Sequence, residues 1–100
     1  MTGPKMTRMR IAYLLESMSE PEVVTIHNRT RIAWDDTRAK RKWPAFNEAP
    51  FKFQTFLVWR QLVTDGNYSK SFDEFEQECC EIEPQDEEQV NPTSPATAGG

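Results

Sequence analysis

The stretch from Phe51 to Val63 constrains the fold more than any other part of the chain. Phe51, Phe53, Phe56, Leu57, Val58, Trp59, Leu62 and Val63 point in most directions around a helical wheel. A helix built from them must be packed on several sides at once. Pro50 suits its first turn, and Gly66 in Asp65-Gly66-Asn67 suits a left-handed residue just past its end. Lys52, Gln54, Arg60 and Gln61 interrupt the run, so it falls short of the ~20 apolar residues that a membrane span needs. The segment therefore predicts the central helix of a small soluble domain.

The flanking segments supply what surrounds it. In Arg8–Glu16, Met9, Ile11, Tyr13 and Leu15 alternate with Arg8, Arg10, Ala12 and Leu14, a period-two pattern that predicts a half-buried strand. The consecutive Leu14 and Leu15 keep a short helix as the competing assignment. Ser17–Glu22 has turn chemistry around Pro21, and Val23–His27 is rich in β-branched residues, which favours a second strand and hence a hairpin. Asn28 is the expected N-cap of a helix reaching about Lys42, although Arg29 and Arg31 in its first turn oppose the helix dipole. Ile32, Asp36, Ala39 and Trp43 give it only a thin apolar stripe, and Pro44 stops it. Ser71 and Glu74 form a capping box for a third helix, along which Phe72, Phe75, Cys79 and Ile82 recur until Pro84. The expected fold is α+β: a small domain with an N-terminal β-hairpin packed on three α-helices.

Residues 1–7 are expected to form a flexible N-terminus, 8–83 the single domain, and 84–100 a disordered, acidic, Pro-rich tail. In that tail Val90 is the one large apolar residue beside three prolines, too little apolar surface to offset ordering entropy. A domain this small has a marginal core, and such chains often gain stability by association. Charge is unevenly distributed. Residues 1–42 carry nine Lys/Arg against five Asp/Glu, and residues 43–100 carry three against eleven, for a net charge of −4. That polarity suits self-association or a partner of mixed charge, and the overall acidity argues against general nucleic-acid binding. Cys79 and Cys80 are adjacent, too close for an unstrained disulfide. No second cysteine pair or histidine cluster accompanies them. With no signal-peptide pattern in Met1–Ser19, the expectation is a host-cytoplasmic protein with reduced thiols.

Few residues invite a chemical role. His27 is the only histidine and lacks a nucleophile to activate, so packing or capping accounts for it. Glu74, Glu76, Glu78, Glu81 and Glu83 lack the Asp/Asn/Gly-rich turn of a hard-cation site and read as a solvated face. Acidic neighbours leave the Cys80 thiol without activation. No phosphate loop or metal-ligand spacing is present, and the chain is expected to be neither an enzyme nor a cofactor or metal binder. Arg38, Lys40, Arg41 and Lys42 form a basic run that is either a solvated helix end or a patch for an acidic partner. Trp34 lies off the stripe of its helix, so it either covers the hairpin or anchors a partner. Tryptophan beside arginine is the usual make-up of a binding hot spot, which makes Trp34, Arg38, Arg41 and Trp43 the candidate contact residues.

Trp34-Asp-Asp-Thr-Arg-Ala-Lys-Arg-Lys-Trp-Pro44, the restart Asn47-Glu-Ala-Pro-Phe51 and the helix Thr55-Phe-Leu-Val-Trp59 carry a resemblance over about residues 23–83. Together with Phe72, Phe75 and the acidic Pro-rich end, they resemble short tail-gene proteins of long-tailed actinobacterial phages and prophages. Those proteins are similar to tail assembly chaperones. The resemblance implies a function in binding the tape measure protein and keeping it soluble until the tail tube polymerises. Two alternatives stand beside it: a structural tail or head–tail component of the virion, and a small nucleic-acid-binding regulator using Arg29–Lys42.

Overall fold

Four strands and three helices appear in the computed structural model, which describes residues 6–85 and 88–90. Strands β1 (Met6–Leu15) and β2 (Glu22–Ile26) form the antiparallel hairpin, with Ile11 opposite Val24. Helices α1 (Asn28–Arg41), α2 (Pro50–Thr64) and α3 (Phe72–Glu78) follow, then β3 (Cys79–Pro84) and β4 (Glu88–Val90). The sheet order is β2-β1-β3, and β4 pairs with the first residues of β1. The α+β reading therefore holds. Residues 8–16 resolve as strand rather than helix through Leu15, and β1 begins at Met6, within the stretch expected to be a flexible terminus.

One element differs from expectation. The third helix was expected to reach Ile82, but it ends at Glu78, and Cys79 turns into extended backbone at φ −82°, ψ 113°. β3 then lies antiparallel to β1, with Ile82 opposite Tyr13 and Pro84 opposite Ile11. The i, i+3, i+7 recurrence was real through Phe75. Beyond it, β1 offered an unpaired edge, and a strand that fills this edge satisfies a row of backbone groups that a longer helix would leave bare. The pairing shifts register between Leu14 and Leu15, so one extra residue bulges at the Cys79–Cys80 corner. Past Pro84, the Gln85 N–H donates to the Arg10 carbonyl at 2.8 Å, and β4 continues along Met6–Arg8. The remainder of the expected tail, residues 86–87 and 91–100, lies outside the described residues.

The sheet buries Ile11, Tyr13, Leu15, Val24 and Ile26 against α2, where Phe56, Leu57 and Val58 are 2 % exposed or less. α2 is the packed centre, and α1 and α3 flank it. Its start at Pro50 and the left-handed Gly66 (φ 80°) after its end are as the sequence implies. The α3 capping box is complete: Ser71 Oγ accepts from the Glu74 N–H at 3.2 Å, and Glu74 Oε1 accepts from the Ser71 N–H at 3.0 Å.

The α1 cap falls one residue earlier than expected, on His27 rather than Asn28, and no side chain of its own turn caps it. A side chain of α2 braces this end instead. Gln61, 1 % exposed, accepts with Oε1 from the His27 N–H (3.1 Å) and the Thr30 hydroxyl (2.6 Å), while its Nε2 donates to Asp65 Oδ1 (3.0 Å). A residue that interrupts the apolar run in sequence is thus the polar joint between two helices.

Candidate interaction surface

The far end of α1 closes on Lys42, which takes the left-handed conformation at φ 61°, ψ 37°. Among the described residues it is the one non-glycine with positive φ. For a residue with a Cβ this costs on the order of 1 kcal/mol. The geometry turns the chain sharply, so that the Trp43 N–H reaches the Arg38 carbonyl at 3.0 Å and Arg38 Nε donates to the Pro44 carbonyl at 3.2 Å. Lys42→Gly is expected to raise stability by up to about 1 kcal/mol, read by chemical denaturation, because glycine adopts this conformation without strain. A loss of stability would mean that the Lys42 side chain itself supports the turn.

That turn lays Trp43 across the core. Its ring centroid lies 5.8 Å from Trp34, 6.2 Å from Phe56 and 5.5 Å from Phe72. Two cations approach it: Arg41 Cζ at 5.1 Å and Lys52 Nζ at 4.6 Å from the ring centroid. Lys52 also forms an ion pair with Glu76 at 2.8 Å. Contacts of this kind contribute about 0.5–1 kcal/mol where exposed. The ring is half-buried, so its solvent-facing part sits within a cationic rim.

Of the four candidate contact residues, Arg38, Arg41 and Trp43 do gather here, and Trp34 packs beneath them. Trp34 does not belong to a surface. It is 2 % exposed and enclosed by Trp43, Phe53 (5.2 Å) and Phe56 (5.7 Å). The thin apolar stripe of α1 pointed elsewhere: Ile32, on that stripe, is 50 % exposed, while Thr30 and Trp34 face α2. Arg29 and Arg31 stand at the opposite end of α1, about 10–18 Å away along a helix rising 1.5 Å per residue. The basic residues therefore split into two separate groups.

The surface also holds two aromatic residues outside the four candidate contacts. Phe46, 57 % exposed, leans on half-buried Phe53 at 5.3 Å. Phe51 is 76 % exposed on the first turn of α2. It overhangs a groove of about 390 Å³ between α2 and the α3–β3 corner, with Thr55, Cys79 and Ile82 among its lining and the Lys52–Glu76 pair at its rim. The sequence signal for Phe51 was its place beside Pro50, where no preceding helical turn can cover it. Lys52 was read only as an interruption of the apolar run.

Titratable groups near the groove have structural partners. Glu78 accepts from Lys70 Nζ (2.7 Å) and the Tyr68 hydroxyl (3.0 Å), and these bonds hold its carboxyl below the usual range. Burial, then the bond to Glu78, pushes Tyr68 up to about 12. Burial also raises the Cys79 thiol, which makes it a poorer nucleophile. The acidic residues expected on one helix face are divided between α3 and β3, and no group of three or more His, Cys, Asp or Glu converges as a metal site among the described residues. Comparison with known family models, curated proteins and solved structures yields no match.

Proposed function

We propose that this chain is a protein-binding module acting as a phage tail assembly chaperone, which holds the tape measure protein in solution in the host cytoplasm before the tail tube polymerises. The observation that supports a binding role is the exposure of two phenylalanines, each more than half bare, on a domain that also holds the cations Arg41 and Lys52 against the half-buried Trp43. Such a surface accepts apolar side chains carried among carboxylates, as on one face of an amphipathic helix. The role in tail assembly rests on the resemblance described above.

Co-expression of the tagged protein with the products of its neighbouring genes tests this reading. The expected result is capture and solubilisation of one very long, helix-rich protein. Phe46→Ser with Phe51→Ser should reduce that capture at least about tenfold, in the range of lost hot-spot contacts, with the melting temperature retained because both side chains are exposed. A client that stays insoluble beside the wild-type protein would overturn the chaperone reading. Presence of the chain in finished particles would favour the virion-component alternative.

A further inference from the structure

The two outer strands of the sheet are protected very differently. β3 carries Glu81 and Glu83, follows a bulge and ends in Pro84. These are standard means of keeping an edge from pairing with another chain. β2, at the other edge, reads Glu22-Val-Val-Thr-Ile26, with no lysine, proline or bulge, and no described strand pairs with its outer side. Val23 projects from it 50 % exposed. A flat, β-branched edge of this kind is a template for a further strand.

We propose that the occupant is β2 of a second copy of this chain, paired antiparallel about a two-fold axis through Val24. Directly opposed residues must point to the same face of a sheet. Val24 and Ile26 point to the core and Val23 toward the open face, and this allows a register in which Val24 meets the partner's Val24 and Val23 meets the partner's Thr25. All five residues of β2 are then opposed, and cross-strand pairs of β-branched residues are favourable ones.

Charge selects a copy of the same chain over an arbitrary strand. The β1–β2 turn carries exposed Glu16 and Glu20, and exposed Glu22 opens β2 beside it. At the other end, α1 opens with exposed Arg29 and Arg31 and has no acidic residue in its first turn. Within one chain those arginines stand against the helix dipole, with no acidic residue in the same turn. Two-fold pairing brings the acidic turn of each copy to the arginines of the other, with Glu20 across from the partner's Asn28 and beside the partner's Arg29. The arrangement is isologous and closes on itself. It sets carboxylates beside the first-turn arginines, and it enlarges a core that is marginal for a single small domain.

Sedimentation velocity from low-micromolar to near-millimolar protein tests the pairing. The expected result is a monomer–dimer equilibrium that weakens with added salt. Arg29→Glu should raise the dimer dissociation constant about tenfold by setting like charges together. It should leave the monomer folded, since a carboxylate suits a helix start. Glu20→Arg alone should weaken the dimer similarly, and the double variant should restore it. In one chain the length of β2 holds these two residues more than about 15 Å apart, so such a rescue reports contact between copies. A monomer at every concentration overturns the proposal, as does a dimer indifferent to either substitution or a double variant that fails to recover.

Discussion

Trp34→Ala is expected to leave the chain largely unfolded at physiological temperature. Removing a fully buried indole costs about 3–5 kcal/mol, which is most of the stability available to a domain of this size. Trp34 touches the rings of Trp43, Phe53 and Phe56 together, so the cavity would open where α1, α2 and the turn after Lys42 meet. Near-UV circular dichroism and a thermal melt would show it. Trp34→Phe should be far milder, because the indole Nε1 is buried with no hydrogen-bond partner and its removal strands no acceptor. A Trp34→Ala variant that melted within a few degrees of the wild type would show that the indole is not the keystone of this cluster.

Gln61→Leu should be nearly as damaging for a different reason. The substitution keeps the bulk of the side chain but removes the acceptor of the His27 N–H and the Thr30 hydroxyl. Thr30 is 3 % exposed, so its hydroxyl has no water to turn to. Groups stranded in this way cost about 1–3 kcal/mol each. The mechanism makes a sharper claim: Thr30→Val combined with Gln61→Leu should be more stable than Gln61→Leu alone, since both ends of the strongest bond become apolar together. If chemical denaturation shows the two substitutions simply adding, the Thr30–Gln61 bond is not what holds α1 on α2.

Much of this architecture can be read from local signals. Pro50, Gly66 and the Ser71–Glu74 box act within one turn of the backbone, and each stands where its chemistry requires. The alternation of β1 and the β-branched run of β2 likewise needed only their own residues. What was not legible depends on distant partners. Cys79–Pro84 is a strand because β1, far earlier in the chain, leaves an edge that it can fill. Gln61 braces the start of α1 from another helix, which no spacing rule within α1 could reveal. The candidate surface was half legible for a related reason. Arg41 and Trp43 come together at the end of α1, but whether an aromatic ring is covered or bare depends on how helices pack. Packing put Trp34 inside and left Phe46 and Phe51 outside.

The position of β3 also determines the order in which this protein can become itself. β1 is the middle strand, yet the strands on one of its sides come long after it in the chain, beyond all three helices. A chain that has formed only as far as α3 holds a hairpin with both edges bare and an apolar helix lacking part of its cover. Pairings between such distant segments form slowly, because a long loop must close before any contact rewards it. Until then, bare edges and uncovered apolar faces are what make a partly folded chain prone to aggregate. The segment after α3 therefore acts as a clasp, and a chain cut just after Glu78 would keep its helices and lose its means of closure.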